Sequence, residues 1–363
     1  MKDGFNPEML VLARESREMT QLQLSEKTKI PQTLLSRMES GLLQPNEEQV
    51  ISLEQELKYP QDFFYQSDRI FGFNASVFYH RKRSDVPSRI LKKLHSVINL
   101  SRMRIQRLTR SVELDVDNPL IQLSPLEHGG VEEVAQLVRS LMRLPEGPVR
   151  DLSAALEDAG VVIVQYSFGT SKVDAISEWI PGYPPIILIN TDHNVSGDRY
   201  RWNLAHELGH LVMHRYPSTD MEGEANRFAA EFLLPERQIK PQLRSVRINK
   251  LALLKQHWKV SMGALLERAR QLGCITVSQY KYMRMNFSRL GYNKREPIET
   301  DIAIEKCSLL SELITTHVNG LRYSISELAR LLVMNMDECA ASYLPSQSVG
   351  GLRLISGSVP QLA

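Results

Sequence analysis

The stretch Arg199-Tyr-Arg-Trp-Asn-Leu-Ala-His206-Glu207-Leu-Gly-His210-Leu-Val-Met-His214 decides how this chain is read. Trp202, Ala205, Leu208 and Val212 recur at helical spacing, so one face of a helix is expected to meet a core. Residues four apart in a helix lie about 40° from one another. His206 and His210 can therefore turn both imidazoles toward a single ion. Glu207 sits roughly 100° round from His206, beside such an ion and not on it. A carboxylate there can take a proton from a water that zinc has made acidic.

Two histidines and one glutamate make a short pattern, and a third ligand gives it weight. The next helix reads Met221-Glu222-Gly-Glu224-Ala-Asn226-Arg-Phe-Ala-Ala-Glu231-Phe-Leu-Leu-Pro235. Glu222, Glu224 and Glu231 are all candidates. Glu222 and Asn226 share a face, so Glu222 can ligate while Asn226 hydrogen-bonds to groups nearby. Ala225, Ala229 and Ala230 are small enough to let this helix pack close to the first. His214 lies four beyond His210 and is a rival ligand. It is read instead as a cation at a helix C-terminus, where the dipole favours positive charge.

Here the chain resembles a family. HELGH followed by E-x-x-A-N-x-F-A-A-E-x-L-x-P is similar to the ImmA/IrrE zinc peptidases, whose architecture is gluzincin-like. The resemblance implies zinc held by His206, His210 and Glu222, with Glu207 as general base and Asn226 behind the ligands. It leaves Glu224 exposed and gives Glu231 a salt bridge or an edge position. It also implies that the strand Pro184-Pro185-Ile-Ile-Leu-Ile-Asn190 is an edge strand that pairs an extended substrate. The alternative, a plain core strand, stays open on sequence alone.

Outward from this centre, Val131–Leu141 and Arg150–Ala159 read as helices, and Val161–Tyr166 as a β-branched strand opened by Gly160. Toward the N-terminus, residues 7–65 show helical periodicity broken at Pro31, Gly41, Pro45 and Pro60. Within them, Thr20-Gln21-Leu-Gln-Leu24-Ser25 and Ser36-Arg37-Met38-Glu39-Ser-Gly41 resemble the helix-turn-helix of the Cro/phage-repressor (XRE) class. Leu24, Ile30, Leu35 and Met38 would form its small core, and Glu39 would buttress it. The second helix would enter the major groove of duplex DNA. Gln32, Thr33 and Arg37 would face base edges there, and Gln21 would touch a phosphate.

Charge complicates that reading. Residues 1–60 carry seven Lys/Arg and ten Asp/Glu, a net of −3, although phosphate attraction normally supplies much of the affinity. Residues 79–110 hold ten Lys/Arg against one acid, Asp85. This block, expected as one or two basic helices with Arg81, Lys82 and Arg83 at its start, would supply the missing charge. The bland alternative is that it contacts acids elsewhere in the chain.

The expected fold class is mostly α with a small α+β part. Residues 1–66 form the helix-turn-helix domain and 67–127 a basic helical linker. The zinc metallopeptidase domain with its short sheet spans 128–243, a C-terminal helical domain spans 244–345, and 346–363 is a frayed tail. Trp258, Met262, Leu265, Leu328 and Leu332 are the expected core of the C-terminal helices.

Composition narrows the class. Of the 363 residues, 42% are hydrophobic and 24% charged, which suits a globular protein and argues against disorder. No run approaches the roughly 20 apolar residues of a membrane span, and MKDGFNPEML is not a secretion signal. Cys274, Cys307 and Cys339 form no CxxC pair, and each is read as a small buried residue, which fits a reducing cytoplasm.

The function that follows is a DNA-binding regulator with a zinc endopeptidase in the same chain. Its expected partners are double-stranded DNA, bound as a homodimer, and a protein substrate, a helix-turn-helix repressor. The circuit would be one of stress, mobile elements or defence. The alternatives are a non-catalytic, metal-containing transcription factor and an antitoxin-like binding protein. Glu207 discriminates, because a purely structural site has no need of a general base.

Overall fold

The computed structural model describes residues 4–72, 86–192, 195–216 and 218–343. Arg81, Lys82, Arg83 and the expected tail fall outside them. Four helices make the N-terminal domain: α1 (Pro7–Ser16), α2 (Gln21–Thr28), α3 (Gln32–Glu39) and α4 (Glu47–Leu57), followed by a 3-10 turn at Gln61–Tyr65. Local chemistry sets their starts. Thr20 and Asn46 each form a reciprocal capping box with a glutamine three residues on. Leu24, Leu35 and Met38 are fully buried and Ile30 nearly so.

The longest helix, α5 (Ser88–Leu108), is continuous and does not act as a tether. Ile90, Leu94, Val97, Ile98 and Ile105 pack on one face of a three-stranded sheet. On the opposite side, Leu100 and Met103 join the core of the N-terminal domain. The basic character read from the sequence is largely spent within the chain. Lys92 pairs with Glu15 at 3.0 Å, and Lys93 and Arg89 pair with Glu18 at 2.7 and 3.4 Å. Arg102 meets Glu178 at 3.2 Å, and Arg107 meets Asp68 at 2.5 Å. The negative N-terminal domain and the positive helix thus complement each other, and the described part of the block is not an open phosphate-binding face.

The sheet follows α6 (Val131–Leu141) and α7 (Leu152–Asp158). Its strands are β1 (Val162–Tyr166), β2 (Ala175–Glu178) and β3 (Ile186–Asn190), in the order β1-β3-β2. β1 runs parallel to β3 with Val162 opposite Ile186, and β2 runs antiparallel with Ala175 opposite Ile189. β3 is therefore central, and all five of its residues are buried. That corrects the edge-strand expectation. Isoleucine and leucine on both faces make a run without alternation, which marks a strand covered on both sides. Ile186 and Leu188 face α5, while Ile187 and Ile189 face the larger core.

That core holds α8 (Gly197–Met213), α9 (Met221–Leu233), the short α10 (Glu236–Ile239), α11 (Ile248–Trp258), α12 (Met262–Gln271) and α13 (Val277–Arg289). The C-terminal helices divide between two cores. Trp258, Met262 and Leu265 belong with the sheet and α8. Leu328 and Leu332 belong to a separate cluster with Leu108, built from α14 (Leu309–Thr315), α15 (Ile325–Leu332) and α16 (Met336–Tyr343). Cys339 is buried, Cys274 and Cys307 are half-buried, and all three are free thiols. No helix among the described residues is long and apolar enough to cross a membrane.

Candidate metal centre

Both ends of α8 are held by distant chain. At its start, the Gly197 N–H donates to the Ile302 carbonyl at 3.1 Å. A Cβ there would lie 2.4 Å from the Ile302 and Ala303 carbonyl oxygens, so glycine is what lets this strap lie across the helix. One turn on, fully buried Arg201 pairs with Glu305 and donates to the Val149 carbonyl at 2.7 Å. Glu305 also accepts the Leu152 and Ser153 N–H groups at the start of α7. On the other face, Gly209 leaves room for Phe228 of α9, which a Cβ would meet at 3.1 Å. Ala205, Ala225 and Ala229 are fully buried along the same contact.

This close approach brings the expected ligands together. The Nε2 atoms of His206 and His210 lie 3.1 Å apart, and Glu222 places its carboxylate oxygens 3.5 and 3.2 Å from them. Tetrahedral zinc with bonds of about 2.0–2.1 Å separates its ligand atoms by roughly 3.3 Å. The donor set and its spacing therefore fit such an ion. Burial alone would raise the Glu222 carboxyl, but hydrogen bonds and positive charge from His206 and His210 drive it far below the usual range. Burial opposes charge on His206 too, yet Glu222, Glu207 and the Asn226 amide raise its pKa. Asn226 is exposed one turn beyond Glu222 and lies against His206. Glu207 is 4% exposed, and its Oε2 is buried without a partner among the described residues. A buried carboxylate oxygen left unpaired is costly unless something else meets it.

His214 is not the cation that the helix dipole suggested. Burial, and then the neighbouring charge of His210, push its pKa down to about 4. Its Nδ1 lies 2.9 Å from His210 Nδ1, and its Nε2 lies 2.9 Å from Glu224 Oε2. These partners fix the tautomers. Glu224 accepts from His214 Nε2–H, and His214 Nδ1 accepts from His210 Nδ1–H. The lone pair of His210 Nε2 is then left facing the site. Glu224 is thus a half-buried partner rather than an exposed acid. Glu231 is 1% exposed and paired with buried Arg268.

The two supporting residues were visible in sequence only as spacing: His214 four beyond His210, and Glu224 two beyond Glu222. Replacing His214 with phenylalanine keeps a ring and removes both nitrogens. His214→Phe is expected to weaken metal binding about 10–100-fold, measured by competition with a chromophoric chelator. Wild-type affinity in that variant would remove His214 from this role.

β2 is the strand of the sheet that adjoins α8, and Ser177 Oγ donates to the Glu207 carbonyl at 3.4 Å. It is four residues long and was missed in the sequence because half of it, Ser177 and Glu178, is polar. Both are buried, and Glu178 is neutralised by Arg102 at 2% exposure on each side.

The N-terminal site is simpler. Gln32, Thr33, Ser36 and Arg37 are all exposed along α3. Ser36 was not among the expected contacts. Gln21 is engaged within the domain, since its amide donates to Glu39 Oε2 at 2.8 Å. Glu39 also holds Arg14 at 2.5 Å, the buttress that the sequence suggested.

An exposed helix on a four-helix N-terminal domain, joined to a His-His-Glu metallopeptidase-like site, defines the class of protein. Comparison with known families supports both halves. Residues 10–64 match the helix-turn-helix family, and residues 156–270 match the IrrE N-terminal-like peptidase domain. No curated protein matches the chain. The chain thus joins a segment of XRE-type helix-turn-helix to a segment like the IrrE N-terminal domain of the metallopeptidase family.

Proposed function

We propose that the chain is a DNA-binding regulator whose zinc endopeptidase cleaves a repressor-type protein, either a separate partner or a copy of itself. The setting would be a cytoplasmic stress, mobile-element or defence circuit. One observation carries the reading. His206, His210 and Glu222 converge at ligand spacing, while Glu207 keeps an unpaired oxygen buried beside them. A purely structural site gains nothing from that carboxylate. Zinc held by these three side chains would polarise a scissile carbonyl and bring a water's pKa near neutrality. Glu207 would take that water's proton and return it to the departing amine. Asn226 and His214 would keep the two imidazoles aimed. The test is incubation of zinc-loaded protein with helix-turn-helix repressors, read by mass spectrometry. Intact substrates in every case would favour the non-catalytic transcription factor.

The DNA half is proposed to bind as a dimer on two half-sites about one helical turn apart. Arg37 on exposed α3 would read guanine, with Gln32 and Thr33 beside it. Arg37→Ala is expected to cost about 1–3 kcal/mol at one base position and relax preference there. Neutralising Arg81, Lys82 and Arg83 should weaken binding to all sequences and flatten its salt dependence. Mobility shifts on randomised duplexes separate the two effects. Equal affinity for all duplexes at low salt would leave a peptidase without a regulator.

A further inference from the structure

A cavity of about 460 Å³ lies where the four parts of the chain meet. The N-terminal domain contributes Arg17 and Tyr59 to its wall, α5 contributes Leu100 and Arg104, and β1 contributes Tyr166. The C-terminal helices close it with Ile314 and Tyr343. Its volume falls within the roughly 300–1,000 Å³ of small-molecule sites, and an apolar wall with a few converging polar groups is their usual build.

Its charge is unbalanced. Arg17 is committed: it donates to the Leu57 carbonyl at 2.8 Å, pairs with Glu338 at 2.8 Å and lies 4.7 Å over the Tyr59 ring. Glu338 is the only carboxylate in the lining among the described residues. Arg104, by contrast, has no ion-pair or hydrogen-bond partner among the described residues, although five of its neighbours in the basic block are paired. Both guanidiniums lie near enough to Tyr166 to act on its hydroxyl. One surplus cation facing a half-apolar space lined by three tyrosines calls for an anion with a flat apolar body. A guanidinium fork suits a carboxylate, and an apolar wall rimmed by tyrosine edges suits an aromatic ring, the Tyr59 ring itself being packed by Arg17 and by Phe63 at 4.2 Å.

We propose that this cavity binds a small aromatic carboxylate, its acid group on Arg104 and its ring among Tyr59, Tyr166 and Leu100. Such a ligand touches the N-terminal domain, α5, the sheet and the C-terminal helices together. It therefore binds the docked arrangement of the domains more tightly than a parted one, which is the condition for shifting their balance. The inference does not depend on the peptidase reading.

The test uses the full chain with 2-naphthoate and its uncharged counterpart 2-naphthylmethanol, followed by calorimetry and thermal unfolding. Naphthoate is expected to bind one per chain and raise the Tm, and the alcohol to bind at least tenfold more weakly. Arg104→Gln should lose at least tenfold in naphthoate affinity, and Arg104→Lys should recover part of it. Ser101→Trp, on the same wall, should fill the space and abolish binding while leaving circular dichroism and metal content unchanged. The proposal is overturned if naphthoate shows no saturable binding at millimolar concentration, if the alcohol binds equally well, or if Ser101→Trp binds like wild type.

Discussion

Glu207→Gln is expected to keep the fold and the metal and to lose proteolysis by about 10²–10⁴-fold, the usual contribution of a general base. The substitution changes little in volume on a helix packed against α9. It replaces an oxygen that accepts a proton with an amide that cannot. Because Glu207 is buried and its Oε2 is unpaired, no internal network should be broken by the change. Two readouts are needed together: metal content at wild-type stoichiometry and the cleavage rate of a repressor substrate. Wild-type turnover in a metal-loaded variant would reassign the base.

The second large effect concerns the ligands. Glu222→Ala and His206→Ala are each expected to abolish stoichiometric zinc binding, and with it all cleavage. Removing Glu222 takes away the only carboxylate of the donor group and leaves two imidazoles, one of them buried, without the anion that balances them. Removing His206 leaves a carboxylate and one imidazole, too few for a tetrahedral site with one open position. Elemental analysis after dialysis checks both, and chelation of the wild-type chain should reproduce the loss of activity and reverse on adding zinc. Full zinc retention by either variant would mean that the ion sits elsewhere.

How far the sequence carried the structure depended on whether the deciding contact was local. The four-residue spacing of His206 and His210 is a property of one helix, so their convergence was readable without a fold. The core of the N-terminal domain was readable for the same reason. His214 was misjudged because the dipole argument treats a helix end as solvated, whereas this end is buried against Glu224. The inward pairing of the described part of the basic block was not legible because composition counts charges but not their partners: Glu15 and Glu18 sit together at the end of α1, while Asp68 and Glu178 come from two other places in the chain. β2 was invisible because its two polar residues are buried against distant partners, Glu178 against Arg102 and Ser177 against the Glu207 carbonyl. The central place of β3 was written in its unbroken apolar run, and the edge assignment came from the resemblance.

The strap over the start of α8 also has a consequence in time. Arg201 and Glu305 are 104 positions apart. At about 5–20 residues per second of synthesis, roughly 5–20 seconds separate their emergence from the ribosome. During that interval α8 has neither its clamp on Arg201 nor the carbonyls that cross Gly197. A nascent chain therefore completes its helix-turn-helix well before the helix carrying His206 and His210 is rigid, and a chain cut short before residue 305 would keep the first without the second.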